Sequence, residues 1–306
     1  MNPYVSLLIG VVCAGVGGDL FVRGMIGVAR WARISAAIIG TTVAAFATSS
    51  PELSVAIGAA GSGRPEISLG DALGSNVVNV ALILAIALCI SAIQSPRSSV
   101  KREFPLALLV PVIVGVLGFD GVLSRVDGGI LLALFLVWLA LVIRQARAER
   151  STALPAAIAV RVGLVTAQSV VGMVFLIGSG YFIVHGARGI ALAFGIPEFV
   201  IGATVVAVGT SMPELATAVI SKIRGHDDIG LGTILGSNIF NALFIVGTAA
   251  VICPITVERA TVGFALGFGL VTTLVTYPNR SGLIGRSRGL MLLVIYVIYV
   301  ALLLKH

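Results

Sequence analysis

Charge is what this sequence most lacks. Only 11% of its 306 residues are Asp, Glu, Lys or Arg, against about 25% in a soluble globular domain. With a mean hydropathy of +1.10 and apolar stretches recurring along the whole length, that deficit excludes a water-soluble domain. Lipid is the solvent for most side chains. Alternating segments of about ten residues are also missing, which argues against a membrane β-barrel; the apolar runs continue for about 20 residues. Open strands cannot satisfy their backbone in hydrocarbon, so the expected fold is an all-α bundle. Cysteine is scarce: Cys13, Cys89 and Cys253 sit singly inside apolar segments, with no zinc, redox or disulfide spacing. His185, His226 and His306 are the three histidines. They are expected in loops or at the terminus, forming neither a metal cluster nor a proton relay. No nucleophile–base pair is apparent, so an enzyme is not expected, and no cofactor either. A basic segment ahead of the first apolar stretch, residues 4–18, is absent too, so that stretch reads as a retained helix rather than a signal peptide.

The formal net charge is +7. In a soluble protein such a surplus suggests nucleic acid. Here the basic residues lie in short loops between apolar runs, where the positive-inside rule accounts for them, and no nucleic-acid partner is expected. Ten spans are predicted, near residues 4–22, 36–60, 66–93, 104–119, 128–143, 161–184, 199–221, 229–253, 260–277 and 287–304. Alternate loops on the side of the first loop hold 15 of the 20 Lys and Arg residues; Arg64, Arg125, Arg188, Arg259 and Lys305 fall on the other side. The first loop is therefore expected in the cytoplasm and both termini outside, in a multi-pass protein of the cell (inner or plasma) membrane. Segment 144–160 is a short basic cytoplasmic linker, too short for a regulatory domain. It joins one five-helix unit, residues 1–143, to a second, residues 161–306.

The strongest internal signal is a duplication. Residues 40–84 align with residues 202–246 without a gap, at a shift of 162, and 20 of 45 positions are identical. The identities fall on residues unusual for a membrane span: Thr48/Thr210, Ser49/Ser211, Pro51/Pro213, Glu52/Glu214, Gly74/Gly236, Ser75/Ser237, Asn76/Asn238 and Asn79/Asn241. Each half holds five spans, an odd number, so the two copies enter the membrane in opposite directions. Such inverted repeats place a transport site near the midplane, where they meet.

The motif T-S-x-P-E carries the chemistry. Proline removes a backbone donor and disrupts the turn before it, so the second and seventh spans are expected to break there. Carbonyls freed near Ala45–Ser49 and Ala207–Ser211 become oxygen ligands, tolerable at this depth only where they line a cavity or are buried in protein. A charged acid at the bilayer centre costs about 2.5–3.5 kcal/mol on insertion scales, which makes Glu52 and Glu214 functional candidates rather than structural ones. Two carboxylates meeting at the axis repel unless protonated or bridged by a cation. Carboxylate, hydroxyl, amide and carbonyl oxygens suit Ca²⁺, Na⁺ or Mg²⁺, not zinc or copper. In the companion motif G-S-N-x-x-N, Ser75, Asn76 and Asn79 share a helical face. Asn79 and Asn241 are expected to face the site. Asp71, whose counterpart is Thr233, lacks symmetry support and is a candidate for lining an outer entrance. Asp19 is expected to snorkel or to pair with Arg23 rather than join the site, and Glu66, Asp227 and Asp228 to be solvated.

The blocks GTTVAAFATSSPEL with LGSNVVN, and GATVVAVGTSMPEL with LGSNIFN, resemble the calcium/cation antiporter superfamily, and within it the sodium/calcium exchanger branch. The resemblance covers the whole chain once the ten-span pattern is included. It implies two inverted five-helix halves with spans 2, 3, 7 and 8 forming a core. It also implies Glu52 and Glu214 as central calcium ligands, helped by Thr48 and Thr210. Flanking sodium sites would use Ser49, Ser75, Ser211 and Ser237 with the carbonyls of Ala45 and Ala207; Asn79 and Asn241 would complete the centre. Some relatives, notably potassium-dependent exchangers, carry an acid where Asn241 stands, which argues against potassium cotransport. Asp71 stands where relatives commonly carry Asn. The large calcium-sensing insert of animal exchangers is absent.

The expectation is a secondary-active antiporter exchanging Ca²⁺ for Na⁺ by alternating access, working as a monomer in the bilayer with inorganic cations as its partners. An empty anionic cavity is costly to carry through an occluded state, which favours exchange over uniport. Under the resemblance, spans 1 and 6 slide across the core, and their glycines suggest smooth packing. A proton-coupled divalent antiporter is the alternative, and a cation channel a distant one.

Overall fold

The computed structural model describes residues 1–152, 161–193 and 207–303, and they are mostly helical. In chain order the helices are α1 (Pro3–Ala32), α2 (Ala36–Thr48), α3 (Ser50–Gly61), α4 (Pro65–Ile90), α5 (Arg97–Lys101), α6 (Glu103–Leu117) and α7 (Arg125–Thr152). There follow α8 (Val162–Ala193), α9 (Ala207–Thr210), α10 (Met212–Ile223), α11 (Asp227–Ile252), α12 (Arg259–Val275) and α13 (Arg286–Leu303). Six of these are long and apolar enough to cross a membrane, seven with the bent pair α2–α3. The first part of the predicted span 199–221 and the linker residues 153–160 lie outside the described residues. The part of the linker before them continues α7 as helix through Thr152.

Burial sorts the helices into a centre and a periphery. In the most apolar window of α11, 94% is buried, and 72% in α4; for α1, α7, α8 and α13 the share is 33% or less. The outer helices turn large apolar residues outward, among them Val11, Leu136, Val174 and Val297. A surface of that kind is stable only against hydrocarbon. Around α11 pack α2, α7 and α10, and around α4 pack α3, α12 and α13. An aromatic cluster fills the space between α2, α7 and α11: Phe46 stacks on Phe240 at 4.7 Å, and Phe135 meets Trp138 at 5.6 Å.

Prolines set the breaks. Pro51 and Pro213 fall in the first two positions of α3 and α10, where a missing N–H costs nothing. The residue before each new helix, Ser49 at φ −86°, ψ 13° and Ser211 at φ −84°, ψ 11°, leaves helical geometry in the same way. Between α2 and α3 the axis turns by 46°. Both expected interruptions are therefore present.

The structure adds features that the apolar pattern does not encode. Gly40–Ala44 in α2, Asn79–Leu84 in α4 and Phe240–Ile245 in α11 are π-helical. Two short antiparallel ladders join distant parts of the chain. Ile93–Gln94 (β1) pairs with Leu283–Ile284 (β4), and Val122–Leu123 (β2) with Ile255–Thr256 (β3).

The glycines of α1 and α8 do not make a smooth surface against the core. Gly10, Gly17, Gly24 and Gly27 of α1 and Gly172, Gly186 and Gly189 of α8 lock the two helices to each other, while Gly15, Gly163 and Gly178 have no close neighbour. A Cβ on Gly10 would lie 2.6 Å from Ile183, one on Gly17 2.7 Å from Phe175, and one on Gly172 2.5 Å from the Phe21 backbone. Gly18, against Ala216 and Ile220, and Gly180, against Gly209, are the ones that turn towards α9 and α10. Small residues let helix backbones approach in lipid; here they build a tight antiparallel pair.

Candidate cation site

Each acid of the duplicated motif sits in the first turn of the helix that its proline starts: Glu52 in α3, Glu214 in α10. There the unpaired N–H groups and the positive end of the helix dipole favour an anion. Both side chains are 1% exposed. The break thus builds a place where a buried carboxylate is tolerable and aims it at the middle of the bundle.

Residues from both copies converge there. Ser49 Oγ donates to Glu214 Oε1 at 2.9 Å, and Ser237 Oγ approaches the same atom at 3.3 Å. Ser237 Oγ also lies 3.4 Å from the Ala45 carbonyl, which in addition accepts from Ser49 N and from Thr48 Oγ1. The Ala45 carbonyl is therefore shared, not freed as expected. The asparagines clasp reciprocally. Asn76 Nδ2 donates to Asn238 O and Asn238 Nδ2 to Asn76 O, each at 3.1 Å. Asn79 Nδ2 donates to Asn238 Oδ1 at 3.0 Å, and Asn241 Nδ2 to Asn76 Oδ1 at 3.1 Å. Asn76 and Asn238 spend their groups holding α4 against α11. Asn79 and Asn241 use only their nitrogens.

Six buried oxygens around this centre have no hydrogen-bond partner: Glu52 Oε2, Glu214 Oε2, Ser75 Oγ, Ser211 Oγ, Asn79 Oδ1 and Asn241 Oδ1. An unpaired buried oxygen costs of order 1–3 kcal/mol, so six in one region call for something electropositive. The donors are hard and oxygen-only, as Ca²⁺ and Na⁺ require.

The copies are alike in sequence but not in contacts. Ser49 and Ser237 both face Glu214, whereas their counterparts Ser211 and Ser75 stay unpaired. Thr48 is fully buried. Thr210 is half-buried and lines a cavity of about 370 Å³ with Pro51, Pro213, Tyr181 and His185. That cavity reaches both breaks from the α8 side. Ala207 opens α9. Asp71 lies on α4, one helical turn before Ser75, with its Oδ2 buried and unpaired.

Two acids depart from expectation. Asp19 pairs with Arg23 at 3.0 Å, as expected, but also with Arg224, tying α1 to the end of α10. Asp227 is not merely solvated. It accepts from the buried Lys222 ammonium at 2.9 Å, which also donates to Ala92 O. The π segments at Asn79 and around Asn241 were likewise missed. A π turn is a frequent mark of functional helices, but no residue pattern in these apolar stretches announces it.

Comparison with known proteins bears on the family and the fold. The family model described as "Sodium/calcium exchanger protein" matches residues 2–144 and 164–305. The chain is 35% identical to "Putative antiporter CaxA" of Alkalimonas amylolytica, over 85% of this chain and 83% of that protein. It is 32% identical to "Inner membrane protein YrbG" of Escherichia coli (strain K12), over 97% and 95%. The "Sodium/calcium exchanger MaX1" of Methanosarcina acetivorans is 27% identical, over 98% of both chains. Among solved structures, the sodium-calcium exchanger NCX_Mj, soaked with Na⁺ and Sr²⁺, superposes with a TM-score of 0.84 at 29% identity, covering 98% of this chain and 97% of that one.

Proposed function

Because the chain belongs to the sodium/calcium exchanger family, a family of membrane cation transporters, we propose that it exchanges Ca²⁺ for Na⁺ by alternating access at the Glu52–Glu214 centre. The observation that carries this reading is the set of six unpaired buried oxygens contributed by both copies of the motif. Glu52 and Glu214 bind Ca²⁺ with the hydroxyls of Thr48 and Thr210. Na⁺ occupies flanking positions at Ser49, Ser75, Ser211 and Ser237 with the carbonyl of Ala207 and, in exchange for the Ser237 hydroxyl 3.4 Å away, that of Ala45. The unpaired amide oxygens of Asn79 and Asn241 face the centre.

The proposed topology has ten spans in two inverted five-helix repeats, residues 1–143 and 161–306, with both termini outside and the 144–160 linker in the cytoplasm. A monomer is sufficient for transport. Support comes from the odd number of predicted spans per half and from the reciprocal asparagine bonds, which relate the copies as a twofold axis would. The interlocked α1–α8 pair then moves as one body across α9 and α10, where Gly18 and Gly180 allow close contact.

The test is ⁴⁵Ca²⁺ uptake into proteoliposomes under separate Na⁺, K⁺ and pH gradients. Uptake driven by an outward Na⁺ gradient alone is expected. Uptake driven by pH and indifferent to Na⁺ would transfer the assignment to a proton-coupled antiporter. Passive flux without a counter-gradient would indicate a channel.

A further inference from the structure

The two copies of the repeat part company at Asp71. Its counterpart, Thr233, spends its hydroxyl on the carbonyl of Ile229 at 2.9 Å, within its own helix. Asp71 Oδ2 is buried with no partner. Asp71 lies one helical turn before Ser75, so the two side chains share a face of α4. Ser75 is 1% exposed and its Oγ is also unpaired. On the neighbouring α3, which packs against α4, Glu52 Oε2 is a third unpaired buried oxygen. On its other flank Asp71 lines a cavity of about 440 Å³ between α4, α12 and α13. The described lining of that cavity holds three acids, Glu66, Asp71 and Glu258, and no Lys, Arg or His. In a chain of net charge +7, such a lining is unusual. The cavity runs along α4 to Val78, beside Asn79.

We propose that Asp71 is a cation-binding way station, taking a hard cation from this acidic cavity and passing it to Ser75 and Glu52. A carboxylate and a hydroxyl four residues apart offer oxygen-only donors of the kind Na⁺ and Ca²⁺ accept. Low-dielectric walls of one charge sign concentrate the opposite ion. Its buried oxygen is costly while unpaired, and the entering cation supplies its partner. Thr233 offers no such step, so the two faces of the protein load cations differently.

This inference rests on the antiporter reading, and one experiment separates the two. Apparent KM for Ca²⁺ is measured in right-side-out and in inverted membrane vesicles, for the wild type and for Asp71→Asn. The proposal expects about a tenfold rise in KM, ~1.4 kcal/mol, when Ca²⁺ is supplied from the face carrying Arg64. From the opposite face KM stays unchanged, and kcat stays within about twofold. Asp71→Glu restores the wild-type value. If Asp71→Asn does not assemble, Asp71→Thr copies the residue of the second repeat and is read in the same way. An unchanged KM on both faces, or an equal rise on both, overturns the way station while wild-type uptake keeps the antiporter. Absence of wild-type uptake overturns both.

Discussion

Replacing either central glutamate by glutamine is the most informative perturbation. Glutamine keeps the size and removes the charge. A divalent ion about 4 Å from a carboxylate gains ~8 kcal/mol at an effective dielectric of 20. Desolvation of the buried ion and acid returns several kcal/mol of that, leaving a net loss of ~3–5 kcal/mol for Glu52→Gln or Glu214→Gln. Calcium affinity should then fall by a factor of about 10²–10⁴. The folded protein should not suffer, because each carboxylate is 1% exposed and already has an unpaired oxygen. Neutralising such a group relieves a cost instead of creating one. Glu214→Gln keeps an acceptor oxygen for Ser49 and Ser237, so the local hydrogen bonds survive. Affinity is read by ⁴⁵Ca²⁺ binding to purified protein, and folding by size-exclusion profile and thermal midpoint. Binding within threefold of wild type in both variants, with intact folding, would refute the reasoning.

Two further outcomes follow from packing. Gly236→Ala places a Cβ against the Thr41 carbonyl and 2.8 Å from Ala45 Cβ; overpacking of this kind costs ~1–3 kcal/mol, so the thermal midpoint and the uptake rate should both fall. Lys222→Met leaves Asp227 without its ammonium, in a pair whose side chains are 5% and 22% exposed. A loss of ~2–4 kcal/mol is expected, partly recovered in Lys222→Met/Asp227→Asn, as thermal unfolding in detergent would show.

Much of this architecture is written in the sequence because lipid imposes a simple rule. Apolar length fixes where helices such as α4, α11 and α13 run. Proline at positions 51 and 213 fixes where two of them break, since it removes a donor from the turn. The glutamates were legible for a different reason: buried charge is too expensive to recur by accident in the same setting.

What stayed hidden depends on contacts between distant segments. Ser49 and Ser237 both choose Glu214, a choice that two near-identical motifs cannot encode separately. The pairing of Asp19 with Arg224 joins segments far apart in the chain and has no local signature. Ladders of two residues, such as Ile93–Gln94 with Leu283–Ile284, are too short for an alternating pattern to register. The glycines of α1 and α8 were visible, but not their direction. Whether a small residue faces a partner helix or the core is decided by assembly.

The central claim is that one hard cation lies between the two copies, held by oxygens from both. Anomalous scattering from crystals of the protein soaked in Sr²⁺ tests it most directly. The account predicts one dominant peak within about 2.3–2.8 Å of carboxylate oxygens of both Glu52 and Glu214, near the range of calcium–oxygen bonds. A peak held by one glutamate alone, or no peak between α3 and α10 at saturating Sr²⁺, would contradict it.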